Sequence, residues 1–424
     1  MLLVLLLASL ILLRCYNANT NTTGTGGNLK DRAFFTENVS SGTVTAGVYV
    51  VDAQHDLRPS VAPIAAGIAP GLMVLTPSRT QTLVFSSTEN QLTVIINASQ
   101  SAAGQITLPG FTESFVVSPD GSTAYAAVPT ASVVGQSPGA VKVVSLSSIA
   151  FTAEIDIPAV RFLAISNTGN RILAFSDNSD AVSVITPSKI VTGNAVTSVG
   201  GFDRPVAAFF SPDDTTAFVV NCGAECGGTQ ASVQTLDLTS NSAGAAVNVP
   251  AATVAVVNGT TMYLAGTPFA SAGGSLVPSL PCSTGQNATR AEFCGQLSIF
   301  DLATMSLVDP ATTIVITDGY HNRMALGANG QLFIGARTCA EVTAVNTGDE
   351  VRGCLSIYNT PTGAVVIPPA NGEVTGIQPI AQRAVVYVVQ GGSLGIYDAR
   401  TDKLQTTQIT TLVGQFVDVK TVDF

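Results

Sequence analysis

Seven cysteines, two histidines and a series of Asp-bearing turns are the side chains of this 424-residue chain with chemistry to offer. Cys222 and Cys226 stand in a Cys-x3-Cys spacing that suits one edge of a zinc site. No second close pair and no neighbouring histidine accompanies them, so metal binding is the weaker reading and disulfide chemistry the stronger. Cys282 with Cys294, and Cys339 with Cys354, make two wider pairs, and six cysteines by themselves leave the connectivity open. His55 and His321 are the only histidines. His321 has Asp318 nearby in sequence, the outline of a Ser/His/Asp hydrolase, but no serine sits on a Gly-x-Ser-x-Gly turn, and a histidine in a connecting loop is the expectation. Asp120-Gly121 and Asp213-Asp214 carry oxygen ligands that suit calcium, yet Asp and Gly at such places are what hairpin turns use in any case.

Composition narrows the partners. A net charge of −10 with only 18 Lys and Arg gives no basic stripe to neutralise phosphates, and nucleic acid is not expected. Aromatic residues are 6% of the chain and tryptophan is absent, which argues against a stacking platform for bases or sugars. Residues 2–13 form an apolar run too short to span a bilayer as a helix and of the length of a secretory signal core. With Cys15 directly after Leu12, Leu13 and Arg14, the run resembles a bacterial lipoprotein signal in which that cysteine is lipidated. Arg14, where a small residue is usual, and the lack of a basic residue before the run depart from that pattern. Residues 1–14 are assigned to a signal or apolar anchor, 15–30 to a flexible polar tether, and 31–424 to one folded domain. The expected location is extracytoplasmic, in the periplasm or at the cell surface, with the membrane reached through the N-terminus.

A repeat positions these residues. Residues 204–238 read as three short strands: PVAAFF, the turn Ser211-Pro212-Asp213-Asp214, TAFVVN, a loop holding two cysteines, and ASVQTLDL. The same order returns along the chain, with the position equivalent to Ser211 at Thr76, Ser118, Ser166, Val256, Gly327 and Ile380. Each copy closes with a fourth apolar segment ending in Gly or Pro, and four short strands per unit is the period of a β-propeller blade. Near the N-terminus, RAFFTENVS, AGVYVVDAQ and SVAPIAAG match second, third and fourth strands without a first, and residues 415–424 match a first strand without the others. Pairing the two closes a ring and removes its open sheet edges. The fold class is therefore all-β, a β-propeller of eight four-stranded blades, or seven if the final strand pairs elsewhere.

The turn Ser118-Pro119-Asp120-Gly121, leading into Ala124-Tyr125-Ala126-Ala127 and a strand like Val182-Ser183-Val184-Ile185, resembles the YVTN-type repeats of exported bacterial β-propellers. The best local matches are TAFVVN at 216–221 and LSIFD at 297–301, and the resemblance covers 31–424. It implies a propeller fold and an extracytoplasmic setting, in a family with no common chemistry.

Aligned on the repeat, both members of each cysteine pair fall in the loop between the second and third strands of one blade. Disulfides Cys222–Cys226, Cys282–Cys294 and Cys339–Cys354 are expected, in an oxidising compartment. Those loops open on the same face as the blade-to-blade connections, which carry Glu113, Arg161, Asp203, Arg204, Tyr320, His321, Asn322, Arg323 and Glu373 around the channel mouth. In a chain with 11% charged residues this cluster reads as a polar mouth for a protein or a small polar ligand. Haem or copper propellers need more His and Met ligands than two and five, and quinone-cofactor propellers dock their blades with tryptophan, so no cofactor or metal is expected. The expected function is a monomeric binding scaffold acting through its disulfide-braced loop face. The alternative is a lactonase-like hydrolase or lyase at the mouth, using Arg204, His321 and Glu373.

Overall fold

The computed structural model describes residues 29, 31–40, 44–282, 293–340, 353–369, 372–405 and 414–423. The apolar run, Cys15 and the tether lie outside them. Eight antiparallel sheets form eight blades. Blade 1 is composite: Phe416–Thr421 is innermost, pairs with Arg32–Glu37, and is followed by Gly47–Asp52, with Ile64 bridging Val48 as the remnant of a fourth strand. Blades 2 to 8 run through 70–107, 114–156, 160–200, 205–248, 254–316, 320–366 and 374–404. Each takes its strands in chain order, first strand innermost, apart from two short outer segments on blade 6.

Burial explains the strand compositions. Second strands are sandwiched between neighbouring blades, so they read as continuous apolar runs; Val385–Gln390 is buried at every position. Fourth strands lie at the rim and are mostly exposed, as in Ser101–Thr107. Between the blades lie eight apolar clusters, each filled by two adjacent blades, including one between blades 8 and 1 and one between blades 1 and 2. The ring is therefore closed at both flanks of the composite blade.

Turns on the face opposite the cysteine loops follow one chemistry. Ser118 Oγ donates to Asp120 Oδ1 at 2.5 Å and Ser211 Oγ to Asp213 Oδ1 at 2.6 Å, with the backbone N–H of Ser122 and Thr215 donating to the same carboxylates. Asp214 does something else: it accepts from Asn167 N at 2.9 Å and Thr168 N at 2.7 Å, latching blade 5 to blade 4. The sixth turn falls later than the repeat places it. Strand Val254–Asn258 runs on through Val256 and reverses at Gly259, whose φ of 62° suits a two-residue hairpin loop. The segment expected to close the last blade, 408–414, lies outside the described residues except for Gly414; Lys403–Leu404 is that blade's described outer strand.

Closure also has a polar latch. Arg32 Nε and Nη2 donate to Asp423 Oδ2 and Oδ1 at 2.8 and 2.5 Å, and Nη1 reaches Asn97 O of blade 2 at 2.5 Å. The two side chains are only 9% and 17% exposed, so removing one partner strands a nearly buried charge. Asp423→Ala is expected to cost roughly 3 kcal/mol in urea unfolding. Glu154→Ala, which breaks the more open Lys142–Glu154 pair, is expected to stay within about 1 kcal/mol. Equal midpoints for the two variants would show that the latch does not hold the ring.

Candidate functional site

The innermost strands do not enter their sheets cleanly. In six blades the pairing of first strand with second slips near the loop face. The extra residues are Arg161, Val206, Asn322 and Thr375 in blades 4, 5, 7 and 8, Gly71 and Leu72 in blade 2, and Val417 and Asp418 in blade 1. A bulge takes a residue out of the ladder and re-aims its side chain. Each of these extra residues lines one of two cavities at the channel mouth, of about 480 and 250 Å³.

The larger cavity holds an ion-pair network. Arg161 Nε and Nη2 grip both oxygens of Asp177 at 2.6 Å, and its Nη1 donates to Glu113 Oε2 at 2.6 Å. The Asp177 bonds outweigh partial burial and raise the Arg161 pKa further, so this guanidinium stays charged at any working pH. Arg337 approaches the other Glu113 oxygen at 3.6 Å; the Asn322 amide oxygen, turned toward it, accepts from its Nε and Nη2 at 2.5 and 3.0 Å. Glu113, Phe162 and Arg337 line both cavities and so join them.

Glu225 sits on the short turn Gly223–Cys226, inside the Cys222–Cys226 disulfide loop, and lines the larger cavity. Its Oε2 accepts from Thr267 N of blade 6 at 2.6 Å, across a backbone kept open by Gly266, where a Cβ would come within 2.9 Å of that oxygen. Burial, only partly offset by the Thr267 bonds, pushes its pKa up to about 7. Burial and the neighbouring Glu225 carboxylate both raise the Tyr320 phenol, which lines the same cavity. The mouth thus contains a carboxyl that changes protonation near neutral pH beside an arginine cluster.

The residues named from the repeat are distributed as follows. Glu113, Arg161, Arg204 and Tyr320 line the larger cavity; Glu113, Asn322, Arg323 and Glu373 line the smaller. Asp203 lines neither: it accepts from the backbone N–H of Thr229 and Gln230 and fixes the cysteine loop over its own blade entrance. Burial works against its charge, but these bonds prevail and hold its pKa below the ordinary value. Glu373 accepts from Thr338 N at 3.1 Å, and Arg323 is held by the carbonyls of Thr375 and Asn322, burial lowering its pKa. His321 lines neither cavity. It is fully buried in the seam between blades 6 and 7, Nε2 on Thr317 O at 3.0 Å, in a space left by Gly295, whose Cβ would lie 2.3 Å from the imidazole. Asp177, Glu225 and Arg337 are the mouth residues the repeat did not single out. Asp177 and Arg337 stand where second strands end, a position the alignment marks once the innermost entrance is known to face the same space.

The three disulfides join Cys222–Cys226, Cys282–Cys294 and Cys339–Cys354, each within one loop. They fit an oxidising, extracytoplasmic compartment. Among the described residues no helix is long and apolar enough to cross a membrane.

His321 makes stability depend on pH. Burial lowers its pKa from 6.5 to about 4, so the unfolded chain takes the proton first as pH falls. Its contribution is complete above the unfolded pKa and is lost between about 6.5 and 4, roughly 3 kcal/mol in all. Urea unfolding at pH 7 and pH 4 should show a smaller drop for His321→Gln than for the wild type; parallel pH profiles would assign the acid sensitivity elsewhere.

No family model and no curated protein matches the chain. Solved structures do. Hydrazine synthase from Kuenenia stuttgartiensis is 14% identical, with 81% of this chain and 96% of that chain covered and a TM-score of 0.53. The dihydro-heme d1 dehydrogenase NirN in complex with DHE is 13% identical, with 93% and 75% covered and a TM-score of 0.63. The β-propeller domain of Myceliophteria thermophila Cps50 (Swd1) is 10% identical, with 80% and 98% covered and a TM-score of 0.50. At such identities the likeness speaks to architecture alone, and together with the eight sheets it makes this chain an eight-bladed β-propeller.

Proposed function

We propose that the protein is an exported, monomeric β-propeller that captures a ligand at the channel mouth, on the face braced by its three disulfides. The carrying observation is that the Cys222–Cys226 loop contributes Glu225 and Cys226 to the wall of the 480 Å³ cavity, so the covalent brace and the polar lining belong to one structure. That volume falls in the range of small-molecule sites. In this reading the N-terminal run and a lipidated Cys15 deliver and anchor the domain, residues 15–30 hold it off the membrane, and the YVTN-type resemblance describes its repeats.

The hydrolase or lyase reading has less support, because its three residues do not share a cavity: Arg204 lines the larger, Glu373 the smaller and His321 neither. The dehydrogenase complex with DHE does not transfer either. Of the residue types that ligate haem iron, the described lining of the two cavities offers only Tyr320 and Cys226, and Cys226 is in a disulfide.

The test is capture by purified protein, washed after exposure to envelope extract, with retained molecules identified by mass spectrometry. Arg204→Ala combined with Glu225→Ala should lose the retained species tenfold or more while unfolding thermally within a few degrees of wild type. Retention unchanged in that variant overturns the mouth as the capture site.

A further inference from the structure

Among the described residues, every carboxylate lining the larger cavity except Glu225 is gripped by Arg161 at 2.6 Å: Asp177 through Nη2 and Glu113 through Nη1. Among the described residues two lining groups are held less firmly: Arg204, whose ion-pair partner Asp180 stands open to water, and Glu225, which has no cation. Arg204 reaches Asp180 Oδ1 and Gly227 O only at 3.4 Å each, Asp180 is 59% exposed, and the buried Arg204 Nε has no acceptor. A water-exposed pair at that distance holds a guanidinium weakly. Glu225 has Thr267 as its partner and, among the described residues, no cation. Arg204 and Glu225 belong to the same blade and line the same cavity, the arginine reaching Gly227 just beyond the cysteine loop. On the side shared with the smaller cavity the wall turns aromatic: Phe162 lines both spaces, and Phe111, 45% exposed, stands edge-on to Phe85 at 5.7 Å.

We propose that the mouth binds a small aryl monocarboxylate, its carboxylate held between the Arg204 guanidinium and the Glu225 carboxyl and its ring laid over Phe162 toward Phe111. This rests on the reading of the mouth as a capture site and names its ligand class. Arg204 supplies charge-assisted donors, the neutral Glu225 carboxyl donates its O–H, and the aromatic wall takes the ring. An ionised Glu225 would repel the same ligand. Around Glu225 the charged and titratable groups lining the cavity are Arg204 of its own blade, Tyr320 and Arg337 of blade 7, Arg161 and Asp177 of blade 4, and Glu113 of blade 3. Thr267, its contact from blade 6, is uncharged. Arg161 is held charged by its bonds to Asp177 and Glu113, burial raises the Tyr320 phenol, and Glu225 is the carboxyl that burial pushes up to about 7. Binding is complete with Glu225 protonated and weakens as pH rises through about 7.

Isothermal titration of the full chain with phenylacetate, phenylacetamide and phenethylamine, from pH 6 to pH 8, tests this. Phenylacetate stays ionised throughout, and its affinity should be about tenfold lower at pH 8 than at pH 6. The amide and the amine should bind at least tenfold more weakly than phenylacetate at pH 6. Glu225→Gln should retain binding and flatten the pH profile, whereas Arg204→Gln should weaken phenylacetate tenfold or more at every pH. The proposal is overturned if the amide or amine matches phenylacetate, or if the pH profile persists in Glu225→Gln. It also falls if none of the probes binds; retained species still lost in the Arg204→Ala, Glu225→Ala variant would then keep the capture reading while rejecting this ligand class.

Discussion

Everything in this molecule hangs on one strand pairing, Phe416–Thr421 against Arg32–Glu37. A propeller's apolar surface is buried between blades, so each blade is covered only if both neighbours are present. Without the composite blade, blades 2 and 8 would each expose a full sheet face. The pairing is reinforced on both flanks. Toward blade 8, Phe35 packs on Tyr387 at 5.9 Å and Arg383 clamps both oxygens of Asp56. Toward blade 2, Met73 N donates to the buried Asp418 Oδ2 at 3.0 Å. One strain is accepted at the junction: Glu37 is fully buried, its Oε1 accepting from Gln415 N at 2.7 Å while Oε2 has no partner among the described residues. Gly414 sits where any Cβ would strike that oxygen, so this glycine is required by close approach.

The two faces of the disc divide the labour. On one, Ser/Asp turns satisfy themselves and Asp214 ties neighbouring turns, so the carboxylates there are already engaged by donors. On the other, disulfides hold the long loops, which by chain-entropy reasoning contribute about 2 to 3 kcal/mol each. Their more specific effect is positional. A five-residue ring containing Gly223 and a buried Cys222 leaves Glu225 little choice of direction, which is what a half-buried carboxyl with a shifted pKa needs.

Much of the architecture was legible in the sequence because blade units repeat period-2 strands, turn residues and terminal glycines, all local signals. The incomplete first and last units declared the closure, and the cysteine pairs declared their own loops. The mouth was legible only in part, for a physical reason. Alternation assigns side chains to faces only while the ladder is unbroken, and a single bulge inverts everything before it. His321, one residue before the bulged Asn322, belongs to the channel mouth by its place in the repeat and lies instead in the blade seam. Glu225 was hidden for a different reason: within a Cys-x3-Cys loop the eye goes to the sulfurs, and its burial depends on blade 6, remote in sequence.

The bulges also separate what the fold needs from what the mouth displays. A residue such as Arg161, Val206 or Thr375 stands outside the cross-strand register of its own sheet. Exchanging its side chain therefore alters the lining without disturbing a pairing on which the ring depends. Apart from blade 1, where Asp418 is tied to Met73, the other five places around the opening amount to a set of interchangeable fittings on a fixed frame. Chains sharing this frame are free to diverge in what they bind long before they diverge in shape, and likeness of shape among them carries correspondingly little information about their ligands.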